Sequence, residues 1–512
     1  MGFERISRWR IRIHPGLLTG IMWTRKLKVG EIRIMKRKVV LAILVACPLL
    51  AQPQAEGEWI SLFNGKNLDG WKASENPKSF HVKDGMIVCD GPRSHLFYTG
   101  YPENADFKNF EFKAEVMTRP GANSGIYFHT RFQENGWPEK GFEVQVNNTH
   151  RGEGNYRERK KTASLYAIRN VYKQLVPDDQ WFTLRFRIED RRVRVWLDEI
   201  LVVDTVEPQA PFRAPDLAGR LLSSGTFALQ CHDPKSTVCF RGLFVKPLPD
   251  SLRSDPCLVP ASEDSTLARL AAENFPLVDA HVHLKGGLTL EKALEKSRSS
   301  GMFYGIAPNC GVGFPIRNDA GIDSFLATMK GVPAFFGMQA EGREWVRMFS
   351  REAIRRFDYV FTDAMTFTDH RGRRVRLWIP GEYEVGEKQA FMDMLTDRIV
   401  GILENEPIDV YVNPTFLPSE IADGYDALWT EARMQRIVRA AAKSGIAVEI
   451  NERFRIPSAA FIRMAKKAGV KFTFGSNNSD GNFGSYGYCL AMVRECGITG
   501  EDMFVPKGHR VE

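Results

Sequence analysis

Residues 183–197 read Thr-Leu-Arg-Phe-Arg-Ile-Glu-Asp-Arg-Arg-Val-Arg-Val-Trp-Leu, a run in which apolar and polar residues alternate on both sides of a charged turn. Successive side chains of a β-strand point to opposite faces, so this alternation predicts two strands with one buried face each. Phe110 to Val116 shows the same period. Strands of this kind recur from Trp59 to about Lys246 without an amphipathic helix between them. The pattern predicts an all-β antiparallel sandwich.

The pattern changes after residue 275, where short apolar strands begin to alternate with amphipathic helices such as Leu290–Ser300 and Ala432–Ser444. Strands that alternate with helices, and that end in polar residues, are typical of a parallel α/β barrel. About seven strands are predicted, one fewer than in the ideal eight-stranded barrel. They are residues 276–280, 304–307, 334–337, 359–362, 410–412, 447–450 and 471–474.

These changes in composition divide the chain into five segments. At 512 residues the chain is too long for one ordinary core, so two domains are expected. In chain order we predict a non-native N-terminal extension at 1–34, a signal peptide at 35–55, the sandwich at 58–248, a linker at 249–275 and the barrel at 276–505.

The signal peptide is predicted from the basic run Met35-Lys-Arg-Lys38 and the apolar residues 39–46 that follow it. Two forms of processing stay open. Leu44-Val-Ala-Cys47 resembles a lipobox, which would place a lipid anchor on Cys47, whereas residues 51–55 offer small residues for ordinary cleavage. Both predict export to the periplasm or the outer cell envelope, with membrane contact only through such an anchor.

The formal net charge of +8 lies in this leader. Residues 1–38 contain 11 Lys and Arg against Glu4 and Glu31, which leaves 59 bases and 60 acids in the rest of the chain. A nearly neutral protein has no electrostatic footprint for nucleic acid. We therefore expect neither a nucleic-acid partner nor a nucleotide cofactor, and the sequence leaves the oligomeric state open.

The predicted sandwich contains six motifs in a fixed order, at residues 62–71 (Leu-Phe-Asn-Gly-Lys-Asn-Leu-Asp-Gly-Trp), 80–88, 121–128, 141–145, 229–232 and 238–243. In this order they resemble the 3-keto-disaccharide hydrolase family, also described as 3-keto-glucoside lyase/hydratase domains. The resemblance covers nearly all of residues 58–248. It implies a concanavalin-like jelly roll and a glycan or disaccharide as the partner.

A glycoside whose C3 is a ketone can be cleaved by elimination. The ketone acidifies the hydrogen on C2, so a base can remove it while the glycosidic oxygen leaves from C1. The reaction needs a general base, a donor or metal that holds the enolate charge, and a proton source for the leaving group.

Polar residues that share a strand face supply candidates for these roles. Glu143 and Gln145 lie two residues apart on one predicted strand, and Gln230 and His232 lie two apart on another, so each pair projects from one face. We predict Glu143, His232 and Arg131 as catalytic residues. The predicted substrate-binding residues are Gln145, Gln230, His129 and Tyr166.

Four features of the sandwich stay open at this point. Arg131 is equally compatible with a solvated strand face. His150 is expected on a surface loop, and Tyr127 in the core or at the rim. Val146-Asn-Asn148 replaces the acidic stretch that is usual in the resembled family, so whether the sandwich holds a divalent metal is undecided.

In the predicted barrel, Val278-Asp-Ala-His-Val-His283 places two imidazoles on the same side of a strand end, a common start of a metal site. The segment resembles amidohydrolases and the polymerase and histidinol phosphatase (PHP) family of metal-dependent phosphoesterases. Later motifs favour the second family. They are residues 337–341, 357–361, 448–451 and 474–478.

Several ligand positions of the resembled phosphoesterases are altered. Met365, Asn413 and Ser479 stand where their motifs have histidine, and Asn477 stands where they have aspartate. The remaining candidate ligands are His281, His283, Glu341 and Asp363, enough for a single divalent metal ion but not for a two-metal site. Three alternatives remain: a degenerate barrel that is structural or binds a ligand, a mononuclear hydrolase, and packed histidines without a metal.

The leading hypothesis is an exported carbohydrate-active enzyme that cleaves 3-keto-glycosides in the sandwich and carries a metal-hydrolase-like accessory barrel. One alternative is a carbohydrate-binding sandwich that targets a mononuclear metal-dependent hydrolase barrel to its substrate. Another is a catalytically inactive envelope protein that binds glycans.

Overall fold

The computed structural model describes residues 57–100 and 105–506. The predicted extension, signal peptide and lipobox lie outside the described residues, whereas all the candidate site residues lie within them. In the described part of the chain, no helix has the length and apolar character needed to cross a membrane.

Thirteen strands of the described residues, all paired antiparallel, build the N-terminal sandwich. They are β1 (Ile60–Ser61), β2 (Trp71–Ala73), β3 (Phe80–Lys83), β4 (Met86–Cys89), β5 (Ser94–Tyr98), β6 (Phe110–Thr118), β7 (Ser124–Thr130), β8 (Phe142–Val146), β9 (Phe182–Glu189), β10 (Arg192–Leu197), β11 (Ile200–Val206), β12 (Thr226–Cys231) and β13 (Val238–Pro247).

These strands form two sheets. The larger has the order β11-β10-β9-β6-β13-β4-β3, with β1 also paired to β13, and the smaller has the order β2-β5-β12-β7-β8. Phe112 of the larger sheet lies 4.9 Å from Phe227 of the smaller one, ring centre to ring centre, within the core between them. The predicted antiparallel sandwich is confirmed, and residues 183–197 form the hairpin β9–β10 with alternating burial.

The C-terminal half is a closed barrel of seven parallel strands, which confirms the α/β prediction. The barrel order is β14-β23-β22-β21-β18-β17-β15, and β15 pairs with β14 to close it. Strand β16 adds to the edge of β17, and β19–β20 is a separate hairpin. The bounds are β14 (Val278–Val282), β15 (Phe303–Ile306), β16 (Asn309–Gly311), β17 (Phe335–Glu341), β18 (Tyr359–Thr362), β19 (Thr366–Thr368), β20 (Arg374–Arg376), β21 (Val410–Tyr411), β22 (Ala447–Asn451) and β23 (Phe472–Gly475).

The helices begin and end where local chemistry favours it. Thr289 caps the first turn of the second helix by accepting from the Lys292 amide, and Gly301 ends this helix with a φ of 75°, a conformation that glycine adopts without strain. The helices are α1 (Ser265–Ala272), α2 (Leu290–Ser300), α3 (Asp319–Thr328), α4 (Trp345–Met348), α5 (Arg351–Ile354), α6 (Lys388–Asn405), α7 (Tyr425–Leu428), α8 (Glu431–Ser444), α9 (Ala459–Lys467) and α10 (Gly487–Cys496).

The sandwich and the barrel belong to one compact unit. Lys173 of the sandwich forms a largely buried ion pair with Asp358 of the barrel at 2.7 Å. The Tyr172 hydroxyl donates to the Phe275 carbonyl oxygen at 3.1 Å, just before the first barrel strand. Polar contacts therefore join the sandwich to the barrel and to the chain segment that connects them.

Candidate functional site

The outer face of the smaller sheet carries a row of buried polar side chains. Residues paired across antiparallel strands share a face, and the register pairs Tyr127 with Glu143 and Gln230 with His95. The opposite face of the same strands, including Ile126, belongs to the sandwich core. The four polar residues form the floor of what we call the sandwich site.

Glu143 lies at the centre of this floor. Gln230 Nε2 donates to its Oε1 at 3.1 Å, the Tyr127 hydroxyl also bonds its carboxylate, and Arg220 Nη2 lies 3.6 Å from Oε2. Burial raises the pKa of Glu143, and the positive charge of Arg220 opposes this shift only in part. Gly125 makes the arrangement possible, because a Cβ at that position would lie 2.3 Å from Glu143 Oε1.

A further amide, that of Gln145, completes the floor. The Gln145 side chain lies within 3.2 Å of Glu143 Oε1 and 3.1 Å of Asn123 Oδ1. The Oε1 atom of Gln230 is buried without a hydrogen-bond partner within the described part of the protein. The structure thus brings together Glu143, Gln145 and Gln230, and leaves an acceptor that a ligand hydroxyl can use.

Five rings follow one another from His95, at the edge of the floor, along the rim of the site. The ring centres are 5.5 Å apart for His95 and Trp137, 5.2 Å for Trp137 and His232, 5.8 Å for His232 and His150, and 6.4 Å for His150 and Tyr156. Trp137 and Tyr156 are exposed, at 42% and 41%. Exposed aromatic faces next to buried polar groups are suited to a ligand with both apolar and hydroxyl-bearing surfaces, such as a sugar.

His232 is oriented by the residue that follows it. Its Nδ1 lies 2.7 Å from Asp233 Oδ2, which also accepts from the Ser236 hydroxyl at 2.8 Å. Although burial opposes the shift, the hydrogen bonds from His232, Ser236 and the Lys235 amide lower the pKa of Asp233. An ionised Asp233 fixes the His232 tautomer with the proton on Nδ1, so Nε2 carries the free lone pair.

His95 differs from His232 because neither of its ring nitrogens has a partner among the described residues, and both are buried. Burial lowers the pKa of His95 to about 3, so the ring is neutral at neutral pH. A neutral imidazole has one donor and one acceptor, and both are available to a ligand here.

The structure places His129 away from this site. Its Nε2 donates to the Lys108 carbonyl oxygen at 2.8 Å, its Nδ1 accepts from the Ser223 amide at 3.2 Å, and its ring packs on Phe110 of the other sheet. His129 has a φ of 54°, and the pairing with β12 shifts register beside it, so the alternation of faces is broken there.

The other two predicted residues differ from each other. Arg131 is exposed, and no contact among the described residues joins it to Glu143 or His232. Tyr166 borders the site: its amide donates to the Glu143 carbonyl oxygen at 2.9 Å, and its hydroxyl lies 3.4 Å from Glu158 Oε2.

Sequence reasoning missed much of the rim. His150, expected on a surface loop, lies beside His232, and Tyr127, expected in the core or at the rim, lies on the floor. The adjacent His232 and Asp233 were a signal in the sequence for the hydrogen-bonded histidine–aspartate pair. His95 and Trp137 offered none, because only strand pairing and the loop fold bring them to the site.

In the barrel, the two predicted imidazoles are held at the carboxyl end of β14. His281 Nδ1 lies 2.6 Å from Glu449 Oε1, and His283 Nδ1 lies 2.8 Å from the Ala307 carbonyl oxygen. The rings are 4.9 Å apart, and His281 Nε2 is buried without a partner among the described residues. Metal-binding histidines are held in this way, with one ring nitrogen on a carboxylate or carbonyl and the other directed at the ion.

The predicted carboxylate ligands are already engaged. Glu341 accepts from Asn309 Nδ2 at 2.7 Å and from the Thr366 hydroxyl at 3.0 Å, and Asp363 Oδ2 accepts from Asn413 Nδ2 at 2.9 Å. Burial raises the pKa of both carboxyl groups, and the charge of Asp363 raises that of Glu341 further. Across residues 57–100 and 105–506, no three His, Cys, Asp or Glu side chains are grouped so as to hold a metal.

Amides fill the altered ligand positions with a hydrogen-bond network. Asn413 Oδ1 accepts from Asn451 Nδ2 at 3.0 Å and from Asn477 Nδ2 at 3.1 Å, and the Asn413 amide donates to Glu449 Oε2 at 2.8 Å. The network also includes the carboxyl group of Asp363, which accepts from Asn413 Nδ2, and the asparagine side chains find their partners within it without an ion. The residues present therefore fit a pair of imidazole ligands but not the multinuclear centre of the resembled phosphoesterases.

Comparison with known proteins relates the sandwich to a family. Residues 58–246 match the family model of the 3-keto-alpha-glucoside-1,2-lyase-like domain. This match confirms the resemblance drawn from the sequence motifs, and the sandwich is therefore a glycosidase-like domain. No curated protein matches the chain.

Solved structures resemble each half separately. A “putative glycosyl hydrolase” from Parabacteroides distasonis is 24% identical, with a TM-score of 0.31 over 38% of this chain and 94% of its own. A histidinol phosphate phosphatase from Lactococcus lactis, complexed with zinc, L-histidinol and phosphate, is 14% identical, with a TM-score of 0.34 over 45% of this chain and 100% of its own. The carbohydrate-binding module CBM66 from Bacillus subtilis is 14% identical, with a TM-score of 0.24 over 34% of this chain and 93% of its own.

Proposed function

We propose that the sandwich, as a 3-keto-alpha-glucoside-1,2-lyase-like domain, cleaves 3-keto-glycosides by elimination and that His232 is the general base. The observation that carries the proposal is the pairing of His232 Nδ1 with Asp233 at 2.7 Å, beside the rings of Trp137 and His150 at the rim of the site. A neutral imidazole held in one tautomer by a carboxylate is a base suited to neutral pH.

In the proposed reaction, Nε2 of His232 takes the proton from C2 of the 3-keto sugar. The C3 ketone accepts the electron pair as an enolate. Collapse of the enolate forms the C1–C2 double bond and breaks the bond from C1 to the glycosidic oxygen, which leaves with the bonding pair. The imidazolium then returns the proton to this oxygen, so charge and atoms balance within the site.

The remaining groups of the sandwich site bind and orient the sugar. Gln230 Oε1 and the two ring nitrogens of His95 are buried polar atoms that a ligand can satisfy. Glu143, between them, binds sugar hydroxyls next to the reacting carbons. Trp137 supplies an exposed aromatic face at the rim, against which the apolar face of a sugar ring can stack.

Incubation of the purified protein with 3-keto-disaccharides tests this activity. We expect release of the aglycone sugar together with the 2-hydroxy-glucal of the 3-keto sugar or its hydrated form, measured by mass spectrometry and NMR. Each reaction is run with and without added divalent cations, because the sandwich can also be tested in this way for a metal of its own. Binding of glycans without release under any metal condition would favour a carbohydrate-binding module instead.

Export is part of the same proposal. The basic and apolar leader at residues 35–55 supports secretion to the periplasm or the outer envelope, with either an anchor on Cys47 or cleavage near residues 51–55. An extracytoplasmic glycosidase would meet its glycan outside the cytoplasm.

A second candidate function concerns the barrel. The buried, unpartnered Nε2 of His281, next to His283, favours a single divalent ion there and hence a mononuclear hydrolase. Such an ion would supply Lewis acidity when bound. His281 and His283 would hold it, and Glu449 would keep the His281 ring in place.

Elemental analysis of the full-length protein after exposure to zinc and dialysis tests this candidate. We expect about one ion per chain, and at least a tenfold weaker retention in His281→Ala, because one of two imidazole ligands is lost. His370→Ala, which removes an exposed histidine on another loop, is the control. Equal and substoichiometric metal in all three proteins would instead support a barrel whose histidines are merely packed.

A further inference from the structure

The loop of residues 151–160 contributes to the sandwich site but is held mainly by polar contacts. It contains no helix or strand, and it carries the exposed rim residue Tyr156. Behind it lies a cavity of about 240 Å³, lined by Arg157, Glu158 and Arg159 on one side and by Phe335 and Val505 of the barrel on the other. Because apolar packing beneath the loop is incomplete, its position depends on a few hydrogen bonds.

Inside the site, these bonds converge on Glu158. The Glu158 side chain is fully buried and accepts from the Tyr156 hydroxyl at 2.5 Å and from the Tyr166 hydroxyl at 3.4 Å through Oε2. Its Oε1 accepts from the Lys160 amide at 2.8 Å and lies 3.7 Å from Lys160 Nζ. The Lys160 ammonium also lies over the Tyr166 ring. The position of Tyr156 is therefore coupled through Glu158 to that of Lys160.

Lys160 in turn is held from the barrel side. Its side chain is 2% exposed, and its Nζ donates to Asn274 Oδ1 at 3.1 Å. Asn274 also donates through Nδ2 to the Arg157 carbonyl oxygen, and its own carbonyl oxygen accepts from Arg159 Nη1 at 3.3 Å. One residue next to the barrel's first strand thus bonds three residues of the loop.

The backbone of Asn274 suits this role. Its φ is 59°, in the left-handed region that asparagine tolerates better than most residues other than glycine. Glu501 of the barrel adds an ion pair to Arg159 at 2.8 Å. The barrel end and its connecting segment therefore anchor residues 157–160 of the loop, while Lys235 of the sandwich pairs with Glu153 nearer its start.

We infer that the barrel completes the sandwich site: Asn274 is a positioning residue that holds the loop of residues 151–160, and through Lys160 and Glu158 sets Tyr156 against the bound sugar. This inference rests on the proposed sugar-cleaving function for its kinetic readout. It gives the barrel a role in the activity of the sandwich that requires no chemistry in the barrel itself.

The test compares full-length Asn274→Gly with wild type. Glycine keeps the left-handed backbone and removes only the clamping side chain. We expect KM for a 3-keto-disaccharide to rise about tenfold, which corresponds to the loss of one to two hydrogen bonds that hold the loop in place. We expect kcat to change less. We also expect faster amide hydrogen exchange in residues 151–160.

Two further variants separate positioning from general destabilisation. Asn274→Asp keeps the acceptor for Lys160 but loses the Nδ2 donor to the Arg157 carbonyl oxygen, so it should restore part of the lost affinity. Asn170→Ala removes other hydrogen bonds, from Nδ2 to the Ala271 carbonyl oxygen at 3.0 Å and from the Ala167 amide to Oδ1 at 2.9 Å, and should leave KM and the exchange of residues 151–160 unchanged. If Asn274→Gly retains wild-type KM and wild-type exchange in the loop, the inference is wrong. If wild type shows no turnover, only the proposed function is overturned. The exchange measurement needs no substrate, so it still tests whether Asn274 holds residues 151–160.

Discussion

His232→Ala is expected to lower kcat/KM for 3-keto-disaccharide cleavage by about 10³-fold, within the range of 10² to 10⁴ typical of a general base. The substitution removes the Nε2 atom that takes the C2 proton. It leaves the floor of the site, centred on Glu143, unchanged. We therefore expect KM to change much less than kcat, and thermal stability to stay close to that of wild type, because His232 is partly exposed.

The chain offers a matched control for this variant. His81 Nδ1 lies 3.5 Å from Asp90 Oδ1, so it forms a second histidine–aspartate pair, exposed on the other sheet. His81→Ala should retain full activity. Asp233→Asn is informative as well, since an amide can donate to Nδ1 and favour the wrong tautomer, with a large loss in kcat. Wild-type turnover in both His232→Ala and Asp233→Asn would remove His232 from the mechanism.

Glu143→Gln should lower kcat/KM by about 10- to 100-fold, because hydrogen bonds from sugar hydroxyls to a charged carboxylate are weakened, yet leave the protein at least as stable at neutral pH. The variant keeps the volume of the side chain and removes its charge at the centre of the site. Because burial raises the pKa of Glu143, the folded state holds the carboxyl proton more tightly than the unfolded chain does. Stability from this group is present below the ordinary pKa of about 4.5 and is lost as the pH rises through the raised value.

The measurement is urea unfolding of wild type and Glu143→Gln at pH 5 and pH 8, together with kinetics. The fall in stability between these pH values should be smaller in the variant, because its amide does not titrate. Glu115→Gln is the control, since Glu115 forms a half-exposed ion pair with Arg241 on the larger sheet. A loss of about 3 kcal/mol in Glu143→Gln would contradict the prediction and would make Glu143 chiefly the buried partner of Arg220.

Period-two alternation was sufficient to predict which residues of one strand share a face. It placed Glu143 with Gln145 and Gln230 with His232, and the structure brings Glu143 and Gln230 within 3.1 Å. The same reasoning misplaced His129, because a single residue with positive φ at the end of β7 turns the side chain toward the other sheet. A local backbone reversal of this kind leaves no signal in the hydrophobic pattern.

In the barrel, too, local patterns predicted the strands but not the contacts between them. All seven of its strands were predicted from alternating apolar runs, because each buried strand and each amphipathic helix carries its own local pattern. The partners of the ligand candidates could not be predicted. Glu449 on β22 bonds His281 on β14, two strands away, and Asn413 Nδ2 donates to Asp363. Strand order and barrel closure bring these residues together from distant parts of the chain.

The sequence by itself determined two domain folds and the family that the first domain resembles, since these depend on local periodicity and ordered motifs. Only the tertiary structure decided the composition of the sandwich site. His95 meets Gln230 through strand pairing, and Trp137 lies on a loop. Tyr156 bonds Glu158, which contacts Lys160, and Lys160 donates to Asn274 next to the barrel. These contacts join residues far apart in the chain, and their geometry follows from sheet register and domain packing rather than from any local pattern.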